Sequence, residues 1–129
     1  MFSYGNVQSA PLTKSERTRS QLRDIALTSF RERGFDATTI RLIAAEAGVS
    51  VGTTHYHFAS KNDLVQELYR DVQERHRAAA APALATESDL IARIGAVYRA
   101  GLDQLTPYHA HASEFLAAAV SPKSDLNPL

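Results

Sequence analysis

No cysteine occurs in the 129 residues, which excludes disulfides, thiol catalysis and cysteine-based zinc sites. No apolar run approaches the roughly 20 residues that span a bilayer, and no charged-then-apolar leader opens the chain. A cytoplasmic type of chain with no membrane partner is therefore expected. A glycine-rich phosphate loop, a nucleophile elbow and a plausible pair of catalytic carboxylates are also missing, so neither an enzyme nor a cofactor is expected. Net charge is missing too, with 14 basic residues against 14 acidic ones. That balance argues mildly against nucleic acid until it is divided along the chain. Residues 1 to 70 hold nine basic and seven acidic residues, and residues 71 to 129 hold five and seven. The positive potential thus lies in the first half.

What is present is a soluble globular composition, 44% hydrophobic and 22% charged, in a length that suits one domain or a small domain plus part of another. Residues 38 to 61, TTIRLIAAEAGVSVGTTHYHFASK, carry the strongest signal. Thr38 reads as an N-cap, and Ile40, Ile43, Ala44 and Ala47 then recur at offsets that set one apolar stripe on a helix. Gly48 follows where a left-handed helix terminus needs a glycine, and Val49 can drop into the angle between two helices. Ser50 caps a second short helix carrying Thr53, Thr54, His55, Tyr56 and His57. So much hydrogen-bonding capacity suits groove edges and phosphates better than a core. The pattern is that of a helix-turn-helix.

Around this motif every periodic segment is helical, and no strand is expected. Residues 1 to 12 lack periodicity and read as a disordered lead. A helix is indicated from Thr13 to Arg33, with Leu22, Ile25, Ala26 and Phe30 on one face and Gly34 ending it. Lys14, Arg17 and Arg19 at its start could lie along a phosphate backbone. Phe58 closes the apolar set of the helix-turn-helix. Ser60 and Asp63 have capping-box spacing before a linking helix over 61–80, with Leu64, Leu68 and Val72 on one face and Pro82 interfering beyond. Lys61 at that helix start is suited to sharing a phosphate with the free backbone N–H groups. Leu90, Ile94, Val97, Tyr98, Gly101, Leu102 and Leu105 mark another amphipathic helix from about Ser88. After Pro107 a last helix shows Tyr108, Ala112, Phe115, Leu116 and Ala119 on one side. Ser121 to Leu129 has the composition of a loop.

The segments ALTSFRERGFDATTI, IAAEAGVS, VGTTHYHF and SKNDL agree in order and spacing with the TetR family of bacterial transcription regulators, which the chain resembles over about residues 15 to 75. The resemblance implies an all-α protein: a three-helix DNA-binding domain over 13–60, the linking helix, and over 81–129 the start of an all-helical ligand-binding and dimerisation domain. It further implies a homodimer on a palindromic operator of double-stranded DNA, and repression relieved by an unidentified small-molecule effector. By position, Thr53, His55, His57 and Lys61 fall where the family holds phosphates, and Val51, Gly52 and Tyr56 where it meets base edges. Thr38 and Arg41 flank the backbone from the second helix, and Ser50 from the turn. Two residues depart from the family pattern: Thr54 replaces a large aliphatic side chain, and His55 a phosphate-binding tyrosine. A threonine there should loosen the packing of the third helix by roughly 1 kcal/mol or more. The family's ligand domain needs several more helices after Leu129, so the chain reads as truncated.

His55 with His57, and His109 with His111, are two residues apart, which separates the side chains around a helix, so no metal site is expected. Tyr98, Tyr108, His111 and Phe115 could line a ligand cavity, although aromatic residues at helical spacing also build cores. The alternative to a regulator is a helical protein-interaction module on a degenerate helix-turn-helix. Such a module should carry apolar anchors on its third helix, where Tyr56 is the sole candidate.

Overall fold

The structure, a computed structural model, describes residues 10–120, with the backbone alone at 116 and 118–120. The lead at 1–9 and the C-terminal loop expected at 121–129 lie outside the described residues, as do the side chains of Leu116 and Ala119. Six α-helices and one 3₁₀ segment follow in order: α1 Lys14–Ala37, α2 Ile40–Ala47, α3 Val51–His57, α4 Lys61–Thr86, α5 Leu90–Leu105, the 3₁₀ segment Thr106–His111, and α6 Ala112–Val120. No strand occurs among the described residues, so the all-α reading holds.

The first four helices share one core. Leu22, Ala26 and Phe30 from α1, Ile43 from α2 and Leu64 and Val65 from α4 are fully buried, and Phe58 after α3 is 1% exposed. Each large side chain among them contributes about 1.5–3 kcal/mol by leaving water. Ile40, Ala47 and Val49 pack against this cluster, with Val49 in the inter-helix angle as expected. Thr54 is fully buried as well, and its Oγ1 donates to the Ser50 carbonyl at 3.1 Å. The hydroxyl is thus satisfied within its own turn. The outer face of the α1–α4 contact is ionic. Glu67, 8% exposed, accepts from Arg19 at 3.1 Å, Arg23 at 3.3 Å and Arg70 at 2.9 Å, and the Arg19 guanidinium lies 4.5 Å from the Phe58 ring centre. Arg19 thus ties α1 to α4.

Two sequence expectations are corrected here. Gly34, at φ 85°, ends the regular part of α1 as expected, and a single further turn follows it to Ala37. Thr38 is the cap after that turn and not the N-cap of α2, because its Oγ1 donates back to the Gly34 carbonyl at 2.7 Å and lies 2.8 Å from Ser29 Oγ. Thr39 caps α2 instead, its Oγ1 accepting from the Leu42 N–H at 3.1 Å. The linking helix also passes Pro82 and runs to Thr86, so a boundary at residue 80 falls inside α4. Proline removes one backbone donor, but α5 packs alongside this stretch and supports it. Ala80, Ala96 and Ala100 are buried on the two helices, and His76 Nε2 donates to the Val97 carbonyl at 2.9 Å.

Candidate nucleic-acid interface

α3 exists because its ends are tied rather than because its residues favour a helix. Seven residues with a glycine and two threonines are a weak helix former, and isolated helices this short do not persist. Ser50 Oγ accepts from the Thr53 N–H at 3.0 Å and donates to Thr53 Oγ1 at 2.9 Å. The remaining hydroxyl proton of Thr53 is thereby left for an acceptor outside the helix. Gly48, at φ 69°, closes α2 and sets the angle at which α3 leaves.

With Thr54 inward, the opposite surface of α3 is presented to solvent. Tyr56 is 80% exposed and Val51 40% exposed, Gly52, His55 and Ser50 are exposed, and Thr53 and His57 are partly so. The Tyr56 ring meets His57 edge-on at 5.0 Å. Arg41 on α2 is exposed and takes part in no hydrogen bond among the described residues. His55 Nδ1 donates to the Ala59 carbonyl at 3.1 Å, which fixes the ring outward. Eight of the ten residues singled out in the sequence, Arg41, Ser50, Val51, Gly52, Thr53, His55, Tyr56 and His57, therefore reach the surface of α2, the turn and α3.

Two stand differently. Thr38 has no exposed surface, both its bonding directions are used inside the protein, and a contact with DNA is ruled out for it. Thr39, which the sequence reading passed over, holds the exposed place beside it. In a Thr–Thr pair the later residue is the one adjoining the first helical position, and that was the available signal. Lys61 is half-buried: its Nζ donates to the Phe35 carbonyl at 2.7 Å and lies 3.9 Å from the Phe35 ring centre. Burial holds its ammonium below the ordinary lysine range, offset in part by the Asp36 and Glu114 carboxylates.

The four candidate ligand residues separate. Tyr98 lines an open apolar cleft of about 670 Å³ between α4 and α5, with His76 and Gln73 as polar groups on its wall. Tyr108 and Phe115 line a second cleft of about 420 Å³, which shares Val72, Gln73 and Leu105 with the first. His111 lines neither. It turns to Glu114, its Nδ1 3.4 Å from Oε1. Burial raises the Tyr108 and Tyr69 hydroxyls above the ordinary tyrosine range. Phe115 is as much core as cavity wall, since it meets Phe30 edge-on at 5.8 Å.

A short three-helix unit with a capped, solvent-facing third helix, followed by a long fourth helix leading to further helices, is a helix-turn-helix arrangement. Residues 22–68 match the model described as bacterial regulatory proteins, tetR family. Among similar proteins is the transcriptional repressor KstR2 of Rhodococcus jostii, 40% identical over 86 residues, 64% of this chain and 42% of that protein. The Mycobacterium tuberculosis repressor of the same name is 33% identical over 92 residues, 71% and 46% of the two chains. A solved structure of the latter, described as a ketosteroid transcriptional regulator, superposes with a TM-score of 0.59 at 30% identity, covering 86% of this chain and 59% of that one. A TetR-family regulator from a Shewanella species also gives 0.59, at 28% identity, covering 81% and 56%. The chain thus spans a little under half the length of these curated relatives.

Proposed function

We propose that the protein is a sequence-specific DNA-binding transcription regulator, acting as a repressor that a small-molecule effector releases. The observation that carries it is the division of α3 into one buried residue, Thr54, and a solvent face of Val51, Gly52, His55 and Tyr56, on a helix of the width that a major groove admits. On this reading Tyr56, Val51 and Gly52 meet base edges. Thr53, His55 and His57 hold phosphates, with Ser50, Arg41 and Thr39 along the backbone. Lys61 adds a charge at the rim, since an ammonium has three donors and Phe35 takes one. Two copies would place their α3 helices in successive major grooves of a palindrome. The clefts along α4 and α5 supply an apolar lining with few polar groups, as an effector site requires.

Selection from a random duplex library with the protein is the test. Enrichment of one half-site sequence is expected, and Tyr56→Ala should alter which bases are enriched, whereas Arg41→Ala should weaken all sequences alike. Recovery of no preferred sequence at low salt would overturn the proposal.

A further inference from the structure

The turn Gly34-Phe35-Asp36 receives contacts from three other elements, and one of them, from the distal helices, has no role in the function proposed above. The Asp36 N–H donates to Glu114 Oε2 at 3.2 Å, and Glu114 Oε1 faces His111 Nδ1 at 3.4 Å. Both side chains sit against the bare Cα of Gly34. A Cβ there would collide with Glu114 Oε2 and come within 2.6 Å of His111 Nδ1. Glycine is thus required at 34 twice, once for a φ of 85° and once as the seat for these groups. Phe115 follows them down, edge-on to Phe35 at 6.1 Å and to Phe30. The same turn anchors the reading unit. Its Gly34 carbonyl holds Thr38 beside the start of α2, and its Phe35 carbonyl holds Lys61 at the start of α4.

We infer that Glu114 and His111 form a latch that docks the distal helices onto the helix-turn-helix unit, seated on Gly34. The charged groups facing it are Lys61 from α4, which favours ionised Glu114, and the Asp36 carboxylate from α1, which Lys61 offsets. The Asp36 N–H foremost, with His111 behind it, holds the Glu114 carboxyl below its ordinary 4.5, despite its partly exposed position. A carboxylate held low keeps its contribution above 4.5 and loses it only as the pH falls through the lowered value. A displacement of α6 therefore reaches both α2 and α4 through three residues of backbone.

The absence of cysteine makes the test direct. Spin labels on Ala45→Cys and Ile91→Cys, both exposed, report the distance between the two units. Amide exchange at Asp36 reports the latch itself. Glu114→Ala should speed Asp36 exchange by about tenfold or more and broaden the distance distribution, with Phe30 and Leu64 unchanged. In the parent chain the distribution should broaden only as the pH falls through the lowered Glu114 value, below 4.5. Unchanged Asp36 exchange and distances in Glu114→Ala overturn the inference. If that variant loses its core protection as well, the isosteric Glu114→Gln decides. A distribution as broad at neutral pH as the parent's in acid supports the latch, and one as narrow as the parent's at neutral pH overturns it. None of these measurements involves DNA, so the inference stands or falls apart from the proposed regulator function.

Discussion

The Nδ1–H of His55 is bound to the Ala59 carbonyl, so a neutral ring offers solvent only the lone pair of Nε2, which repels a phosphate oxygen. Only the imidazolium can donate outward without giving up that bond. Binding should therefore take up a proton, and DNA affinity should rise as the pH is lowered from about 8 to 6. Fluorescence titrations of parent, His55→Tyr and His57→Gln at both ends of that range would separate the two rings. The tyrosine variant should lose the His55 part of the slope and keep its affinity at pH 8, and an undiminished slope would refute the assignment. Thr54 makes a second residue-scale case. Its hydroxyl bonds only to a carbonyl that the helix already uses, so Thr54→Val should shift stability by less than about 1 kcal/mol in urea unfolding. A penalty of several kcal/mol would mean that the hydroxyl has a role beyond its own turn.

Among the elements, α3 is the one whose existence depends on its cap. Ser50→Ala removes the acceptor for the Thr53 N–H and the donor that orients the Thr53 hydroxyl. A loss of about 1 kcal/mol is expected, together with weaker DNA binding at every sequence. Equal DNA affinity in the alanine variant would show that Thr53 does not hold a phosphate. The helical periods of α1, α2 and α4 were readable because their buried faces repeat every three or four residues, as Leu22, Ala26 and Phe30 do. Their ends were less readable. Pro82 looked like a stop, but α4 continues to Thr86 because α5 lies against it, and neighbouring helices can outweigh one missing hydrogen bond.

Over the whole molecule the imbalance between the two halves is evident. Outside the open face of α3 the first four helices bury large apolar side chains in one core, while α5 buries Ala96 and Ala100 and leaves Ile94 at 59%, Tyr98 at 70% and Leu102 at 54% exposed. A contiguous exposed apolar face of this kind favours association or the uptake of apolar molecules. The 129-residue chain should take up a hydrophobic dye or self-associate, and Ile94→Lys should reduce either response. Light scattering and dye fluorescence would settle it, a dye-silent monomer being the contrary result. If the chain is a monomer in solution, its affinity for a palindrome should be lower than that of a two-site dimer by a factor on the order of 100 or more.

Residues 38 to 61 determined by themselves that a helix-turn-helix forms and which residues face outward, because caps, a left-handed glycine and helical period are local properties of the chain. The surface position of eight of the ten candidate residues was legible for that reason. The tertiary structure alone decided the other two: whether Thr38 is inside depends on Ser29 and Gly34, and where the Lys61 ammonium points depends on the Phe35 carbonyl 26 positions away. It alone also placed Glu114 on Asp36 across 78 positions. Contacts at such separations are fixed by which helix packs against which, and that pairing leaves no period in the sequence.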